Sequence, residues 1–158
     1  MITNDVLKRL RFAVRMNDPA MLEMLALGGR TVGKEELDAY FLKDDEEGYK
    51  ECPRAVLAAL LDGMIIKYRG EKPDAKGTES KLPAILDNNT ILKKIRIALE
   101  LKEDDMMAIM RLADVDLSKN ELSALFRKKG QKNYKECMDQ FLRNFLVGLA
   151  SFDLRIAR

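Results

Sequence analysis

The chain has 158 residues, of which 47% are apolar, none is histidine and two are cysteine, and its formal net charge is +2 at pH 7. The missing histidine excludes Ser-His-Asp and Cys-His nucleophile systems and zinc sites that use histidine, while the near-neutral charge gives no global attraction to anionic partners. The N-terminus carries no secretory signal pattern, no apolar run approaches the ~20 residues of a membrane span, and two distant cysteines fit a reducing compartment, so a cytoplasmic protein is expected.

Four helices are predicted in the first 69 residues. The first begins at Asn4, a favoured N-cap residue, and its apolar side chains recur at helical spacing. These apolar positions are Val6, Leu7, Leu10, Ala13 and Val14. The second helix is DPAMLEMLAL, with Pro19 in its first turn and two glycines as its stop. The third follows GKEELDAYFLK, and the fourth and longest, PRAVLAALLDGMIIKY, has Pro53 near its start.

A linker is predicted after the fourth helix. Residues 70–81 are rich in glycine, proline, lysine, glutamate and serine, a composition typical of a flexible and exposed segment. Ile85 and Leu86, which follow this stretch, are expected to pack against the core. The predicted organisation is a first helical repeat at residues 1–69, a linker at 70–88 and a second helical repeat at 89–158.

The second half of the chain repeats the first without a gap when the sequence is shifted by 85 positions. NDVLKRLRFAVRM at Asn4 lies over NTILKKIRIALEL at Asn89, and roughly 20 of about 66 paired positions are identical. The same helices are therefore expected again, with a capping box of Ser118 and Glu121 at the third. No alternating β-branched run predicts a strand. The sequence predicts an all-α protein of two tandem four-helix repeats packed with pseudo-twofold symmetry.

The core is expected to draw mainly on the long fourth helices. These helices contribute Leu60 and Leu61 in the first repeat and Phe141 and Phe145 in the second. Methionines at helical spacing favour core packing over an adaptable exposed groove. The methionines concerned are Met21, Met24, Met106, Met107 and Met110.

The two cysteines, Cys52 and Cys137, both end a YKEC sequence. Duplication of the whole unit accounts for this repetition, and it favours Tyr and Cys as packing residues. A redox pair or a shared ligand site stays open as the alternative, because pseudo-twofold packing can bring the two thiols together. Two cysteines alone do not complete a tetrahedral structural zinc site, and no metal or cofactor is expected.

Several stretches resemble the YehS-like family of uncharacterised bacterial proteins built from a tandem repeat. They are NDVLKRLR, the KDDEEGYKECP junction, NNTILKKIRIAL and KNYKECMDQFLRNFLVGL. The resemblance covers both repeats and so nearly the whole chain. It implies a small bacterial cytoplasmic protein, and it brings no catalytic activity, cofactor, partner or functional residue with it.

The loop before each YKEC carries opposite charge in the two repeats. The first repeat has the acidic KDDEEGYK and the second has the basic KKGQKNYK. Residues 1–69 carry 11 basic and 12 acidic side chains, net −1, whereas residues 89–158 carry 14 and 10, net +4. Free drift of solvated loops is one explanation, and contact between the acidic loop of one protomer and the basic loop of another is the sharper one. The acidic residues are Asp44, Asp45, Glu46 and Glu47.

The basic loop also fits contact with phosphates. The segment MMAIMRLADVDLSKNELSALFRKK resembles a helix-turn-helix, whose second helix can enter the major groove of DNA. The match is loose, because the turn lacks the usual glycine and successive short helices are common in any α-bundle. The residues placed to contact nucleic acid or a partner are Lys119, Asn120, Arg127, Lys128, Lys129 and Lys132.

These features predict a non-catalytic helical interaction module that binds a protein partner or self-associates. A helix-turn-helix-like nucleic-acid-binding regulatory protein is the second hypothesis. An enzyme that relies on carboxylates, lysine or tyrosine is the third, and no catalytic residue is assigned.

Overall fold

Eight α-helices and no strand make up the described part of the chain. The computed structural model describes residues 1–70 and 86–154. In chain order the helices are α1 (Thr3–Val14), α2 (Asp18–Leu27), α3 (Lys34–Tyr40), α4 (Arg54–Arg69), α5 (Asn88–Leu99), α6 (Glu103–Leu112), α7 (Lys119–Leu125) and α8 (Asp139–Ser151). Helices α1–α4 belong to the first repeat and α5–α8 to the second, so the predicted all-α fold of two tandem four-helix repeats is confirmed.

Local capping signals set several helix ends where the sequence predicts them. The Asn17 side chain accepts a hydrogen bond from the Ala20 N–H at 2.9 Å, and α2 then spans the predicted DPAMLEMLAL. At α7, the Ser118 hydroxyl accepts the Glu121 N–H at 3.1 Å, and the Glu121 carboxylate accepts the Ser118 N–H at 3.0 Å. The predicted capping box is therefore confirmed.

The prediction that Asn4 and Asn89 cap the first helix of each repeat is wrong. Helix α1 begins one residue before Asn4, and α5 begins one residue before Asn89. Asp87 is the true cap of α5, since its carboxylate accepts the Thr90 N–H at 2.8 Å. Both asparagines therefore lie inside the first helical turn, where their side chains bind the backbone of a distant segment instead of their own helix.

The fourth helix of each repeat holds the two repeats together. Helix α4 packs against α2 of its own repeat and against α5 of the other repeat. Helix α8 packs in the same way against α6 and against α1. Each fourth helix thus contacts the first helix of the other repeat more extensively than that of its own. This reciprocal exchange produces the predicted pseudo-twofold symmetry.

The core lies along these shared interfaces. Leu60, Leu61 and Phe145 are fully buried, while Phe141 packs at the edge of the core. Of the predicted core methionines, Met107 is partly buried and the other four are buried. Core packing, and not an exposed methionine groove, is therefore the role of these side chains.

Two glycines allow the fourth helices to approach the second helices closely. Gly63 of α4 lies against the Met24 carbonyl of α2, and Gly148 of α8 lies against the Ile109 carbonyl of α6. A Cβ atom at Gly63 would lie 1.6 Å from the Met24 oxygen, and one at Gly148 would lie 2.0 Å from the Ile109 oxygen. Both helix pairs therefore require a residue without a side chain at the contact.

The junction between the repeats is described only at its two ends. The predicted linker beyond residue 70 and the predicted packing of Ile85 lie outside the described residues. Leu86 is buried, and its carbonyl accepts a hydrogen bond from Arg54 at the start of α4, so its predicted packing is confirmed. The exact repeat boundaries stay a prediction. Within residues 1–70 and 86–154, every helix is too short or too polar to span a membrane.

Candidate functional site

One asparagine in each repeat ties the YKEC segment to the first helix. The Asn4 amide group donates to the Tyr40 carbonyl at 3.1 Å and to the Lys50 carbonyl at 2.9 Å, and its oxygen accepts the Cys52 N–H at 2.8 Å. Asn89 makes the matching three bonds in the second repeat, at 2.9, 2.9 and 2.8 Å. YKEC therefore recurs because its backbone is held by an asparagine in both repeats. We call each set of three hydrogen bonds an asparagine clamp.

The two cysteines are buried free thiols. Cys52 and Cys137 are each 2% exposed. Burial raises the pKa of each thiol to about 12, so at neutral pH neither forms the thiolate that attacks electrophiles or binds metals. Among the described residues, no group of three His, Cys, Asp or Glu side chains is placed to hold a metal ion. These observations support the packing interpretation of YKEC.

We expect both thiols to resist alkylation in the folded protein. With the pKa raised from 9.0 to about 12, the thiolate fraction near pH 8 is lower by roughly 10³-fold. Iodoacetamide should label both cysteines in concentrated urea but neither in buffer over the same period, as measured by intact-protein mass spectrometry. Fast labelling of either thiol in protein that circular dichroism shows to be folded would contradict this expectation.

The acidic and basic loops share one backbone turn. In the acidic loop the Glu46 carboxylate accepts the Lys43 N–H at 2.8 Å, and in the basic loop the Gln131 amide oxygen accepts the Lys128 N–H at 3.2 Å. The same backbone turn therefore forms in the acidic loop and in the basic loop. All the predicted loop residues are exposed, namely Asp44, Asp45, Glu46, Glu47, Arg127, Lys128, Lys129 and Lys132.

Part of the predicted basic set gathers at a cavity of about 160 Å³ beside the start of α5. The cations that line it are Lys93, Arg127, Lys128 and Lys129. Lys119, Asn120 and Lys132 are not part of this lining, and Lys119 instead forms an ion pair with Glu103 at 3.7 Å. The helix pair α6–α7 matches α2–α3 of the first repeat, so duplication explains it and nothing in it favours DNA binding.

The two interfaces between the repeats differ in charge. Where α4 meets α5, Lys94 forms an ion pair with Asp62, and Arg69 forms one with Glu100. Each pair joins the first repeat to the second across the interface. Lys94 and Arg69 at this interface are therefore both matched by carboxylates.

Both carboxylates are missing at the equivalent positions of the α1–α8 interface. Arg9 corresponds to Lys94, but Val147 takes the place of Asp62. Arg15 takes the place of Glu100. Arg9 and Arg15 are exposed, and within the part of the chain that the structure describes neither has an ion-pair partner.

Phe12 lies between these two arginines and is 76% exposed, the highest value among the large apolar side chains of the described residues. Its counterpart Ile97 is 41% exposed. Three cavities of about 520, 370 and 540 Å³ line up along the same side of the molecule. We name this surface the Phe12 face; it consists of Lys8, Arg9, Phe12, Arg15, Val147 and Ala150.

The Phe12 face is strongly cationic. Among the described residues, the three cavities along it are lined by four cations, Lys8, Arg9, Arg11 and Arg15, and by one acid, Asp153. Arg11 is engaged, since it forms an ion pair with Asp18 and stacks 4.7 Å above the Phe41 ring. An exposed aromatic ring among cations suits a surface that combines carboxylates with apolar side chains.

None of the residues predicted to bind a partner belongs to the Phe12 face. The signal is present in the alignment of the two repeats, where Val147 replaces Asp62 and Arg15 replaces Glu100. The charge difference between the two loops involves more residues than these two replacements and lies in one stretch. For that reason the prediction named residues 44–47 and 127–132 instead.

Comparison with known proteins places both repeats in one family. The family described as "Protein of unknown function (DUF1456)" matches residues 3–70 and 88–153. A protein of Escherichia coli (strain K12) described as "Uncharacterized protein YehS" is 39% identical over 151 residues, which cover 96% of this chain and 96% of that protein. No solved structure gives a significant match.

Proposed function

Since the chain belongs to the YehS-like family of proteins of unknown function (DUF1456), as its residues predicted, we propose that it is a non-catalytic helical interaction module. Its docking surface is the Phe12 face. Its partner is a protein surface that combines carboxylates with apolar side chains. The proposal keeps the predicted protein-binding role but moves the cationic contact from residues 127–132 to the Phe12 face.

The exposure of Phe12 between Arg9 and Arg15, which have no ion-pair partner among the described residues, carries this proposal. Burying an exposed phenylalanine ring removes apolar area from water, which stabilises a complex by roughly 25 cal/mol per Å². Guanidinium groups bind carboxylates through paired, charge-assisted hydrogen bonds. Aromatic residues and arginine are also the side chains that most often dominate binding energy at protein interfaces.

Three carboxylates with lowered pKa values support a non-catalytic role. A hydrogen bond from Lys34 lowers the pKa of Asp18, and one from the N-terminal ammonium lowers the pKa of Asp139. The backbone of Ser118 lowers the pKa of Glu121 in the same way. A general acid needs the opposite shift, towards neutral pH. A cytoplasmic location forms part of the proposal, because buried free thiols suit a reducing compartment.

We expect Phe12→Ser to weaken the capture of protein partners. Tagged wild-type chain, Phe12→Ser and Ile97→Ser are each incubated with bacterial extract that also contains untagged chain, and the retained proteins are quantified by mass spectrometry. Ile97 is the matched control, because it occupies the equivalent position on the ion-paired side. Loss of the Phe12 ring should weaken binding at least about tenfold, whereas Ile97→Ser should leave it unchanged.

The proposal fails if no protein, including the untagged copy, depends on Phe12 for its retention. The nucleic-acid hypothesis is tested in the same series with labelled duplex DNA and fluorescence anisotropy at about 50 mM salt. Binding that survives Phe12→Ser, and disappears when Lys128 and Lys129 are changed to Ala, would replace protein docking with phosphate contact at the basic loop.

A further inference from the structure

The acidic loop lies next to the Phe12 face in the same repeat. The Lys8 ammonium donates a hydrogen bond to the Leu42 carbonyl at 3.0 Å, and Phe41 lines the same cavity as Phe12. The chain then continues directly into the exposed residues 43–48. The cationic and apolar Phe12 face therefore has the acidic loop at its edge, on the same surface of the molecule.

Three of the four carboxylates of this loop form no ion pair with the part of the chain that the structure describes. Asp44, Asp45 and Glu47 are exposed, and none forms an ion pair within residues 1–70 and 86–154. Arg9 and Arg15 also form no ion pair within these residues. The acidic loop and the two arginines therefore do not neutralise each other inside one molecule. Two copies related by a twofold axis can bring each acidic loop to the other copy's arginines, as a symmetric interface requires.

We propose, building on the proposed function, that the partner at the Phe12 face is a second copy of this chain. In the resulting twofold dimer, the acidic loop of each copy contacts Arg9 and Arg15 of the other. The Phe12 and Val147 side chains of both copies are buried between them. Apolar burial supplies the affinity, and the paired charges set the register.

The second repeat explains why association stops at a dimer. There the corresponding loop is basic, and the corresponding interface is neutralised by the pairs Lys94–Asp62 and Arg69–Glu100. The self-complementary arrangement thus exists on one side of the molecule only. An isologous contact that uses a single surface closes after two copies.

A charge-exchange experiment tests the dimer. One variant carries Arg9→Glu and Arg15→Glu, and the other carries Asp44→Lys and Glu47→Lys. The changes at Arg15, Asp44 and Glu47 introduce the residue that the other repeat has at the same position, and Glu100 adopts the left-handed backbone of Arg15 with φ 55° against 58°. Glu46, which holds the loop turn, is left unchanged.

Each variant alone is expected to be monomeric by sedimentation velocity at a concentration where the wild type is dimeric. In the first variant, both loop contacts join like charges. In the second, the two lysines cancel the charge of Asp45 and Glu46, so the loop no longer attracts Arg9 and Arg15. An equimolar mixture should form a heterodimer, because one contact joins the original acidic loop to the original arginines and the other joins the introduced lysines to the introduced glutamates. The control Lys128→Glu with Lys129→Glu should remain dimeric, and salt raised from about 50 to 500 mM should weaken the wild-type dimer.

Three outcomes would overturn the dimer. They are a monomeric wild type at all accessible concentrations, a dimer that both charge variants retain, and a mixture that fails to associate. A monomeric wild type that still retains a different protein in a Phe12-dependent manner would leave the interaction module in place. It would show only that the acidic partner is not a second copy.

Discussion

Gly63→Ala is expected to lower the free energy of unfolding by about 3 kcal/mol, at the upper end of the usual range for overpacked cores. The added methyl carbon would lie 1.6 Å from the carbonyl oxygen of Met24, a backbone atom that side-chain rotation does not move. Helices α2 and α4 must therefore separate, and the buried side chains between them lose contact. In an exposed helix the same change would stabilise the protein by about 1 kcal/mol. A loss of stability would therefore itself indicate that α2 and α4 lie in close contact at Gly63.

Thermal unfolding of Gly63→Ala should show a midpoint about 6–12 °C below that of the wild type, given the size of the chain. Gly148→Ala should behave alike, because its methyl carbon would lie 2.0 Å from the Ile109 oxygen. Gly33→Ser is the control, since a Cβ atom at Gly33 would meet no other atom within 4 Å and the other repeat has serine there. A raised midpoint for Gly63→Ala would mean that α2 and α4 do not pack in this way.

Local signals in the sequence were sufficient to place the helices. Pro19 and the Ser118–Glu121 capping box act within a few residues, and the structure has α2 and α7 where they predict them. Because the two halves of the chain are similar in sequence, a helix predicted in one half could also be predicted in the other. Helix ends of this kind depend on neighbouring backbone groups, which a sequence displays directly.

The asparagine clamps could not be predicted in this way. An asparagine before an apolar helical run is a normal N-cap signal, and the local rule therefore assigned Asn4 to its own helix. The decisive partners, the Lys50 carbonyl and the Cys52 N–H, lie 46 and 48 residues away in sequence. Satisfying these backbone groups, one buried and one partly buried, outweighs a cap, and only the tertiary structure shows that they are near Asn4.

The Phe12 face could be predicted only with knowledge of how the two repeats pack against each other. Arg9 and Val147 belong to different repeats, and they meet because each fourth helix packs on the first helix of the other repeat. Helix periodicity does not reveal such an exchange. Once the exchange is known, the sequence difference between Asp62 and Val147 becomes a difference between a neutralised interface and a cationic one.

Asn4→Ala is expected to lower the free energy of unfolding by about 3 kcal/mol. Asn4 is 1% exposed, and its side chain satisfies the Tyr40 and Lys50 carbonyls and the Cys52 N–H. Truncation removes the partner of two buried backbone groups and of the partly buried Lys50 carbonyl, each of which costs about 1–3 kcal/mol if water does not replace it. Urea unfolding followed by circular dichroism measures the loss.

Two further variants separate hydrogen bonding from packing volume. Asn4→Asp keeps the shape and the acceptor for the Cys52 N–H, but it turns a carboxylate oxygen towards two carbonyl oxygens, so it should cost at least as much as alanine at neutral pH. Asn89→Ala removes the same three bonds at a more exposed site, where water can replace them, and it should cost less. Equal losses for Asn4→Ala and Asn89→Ala would show that burial does not set the strength of the clamp. A loss below about 1 kcal/mol for Asn4→Ala would show that the YKEC segment is held in place by its buried cysteine instead.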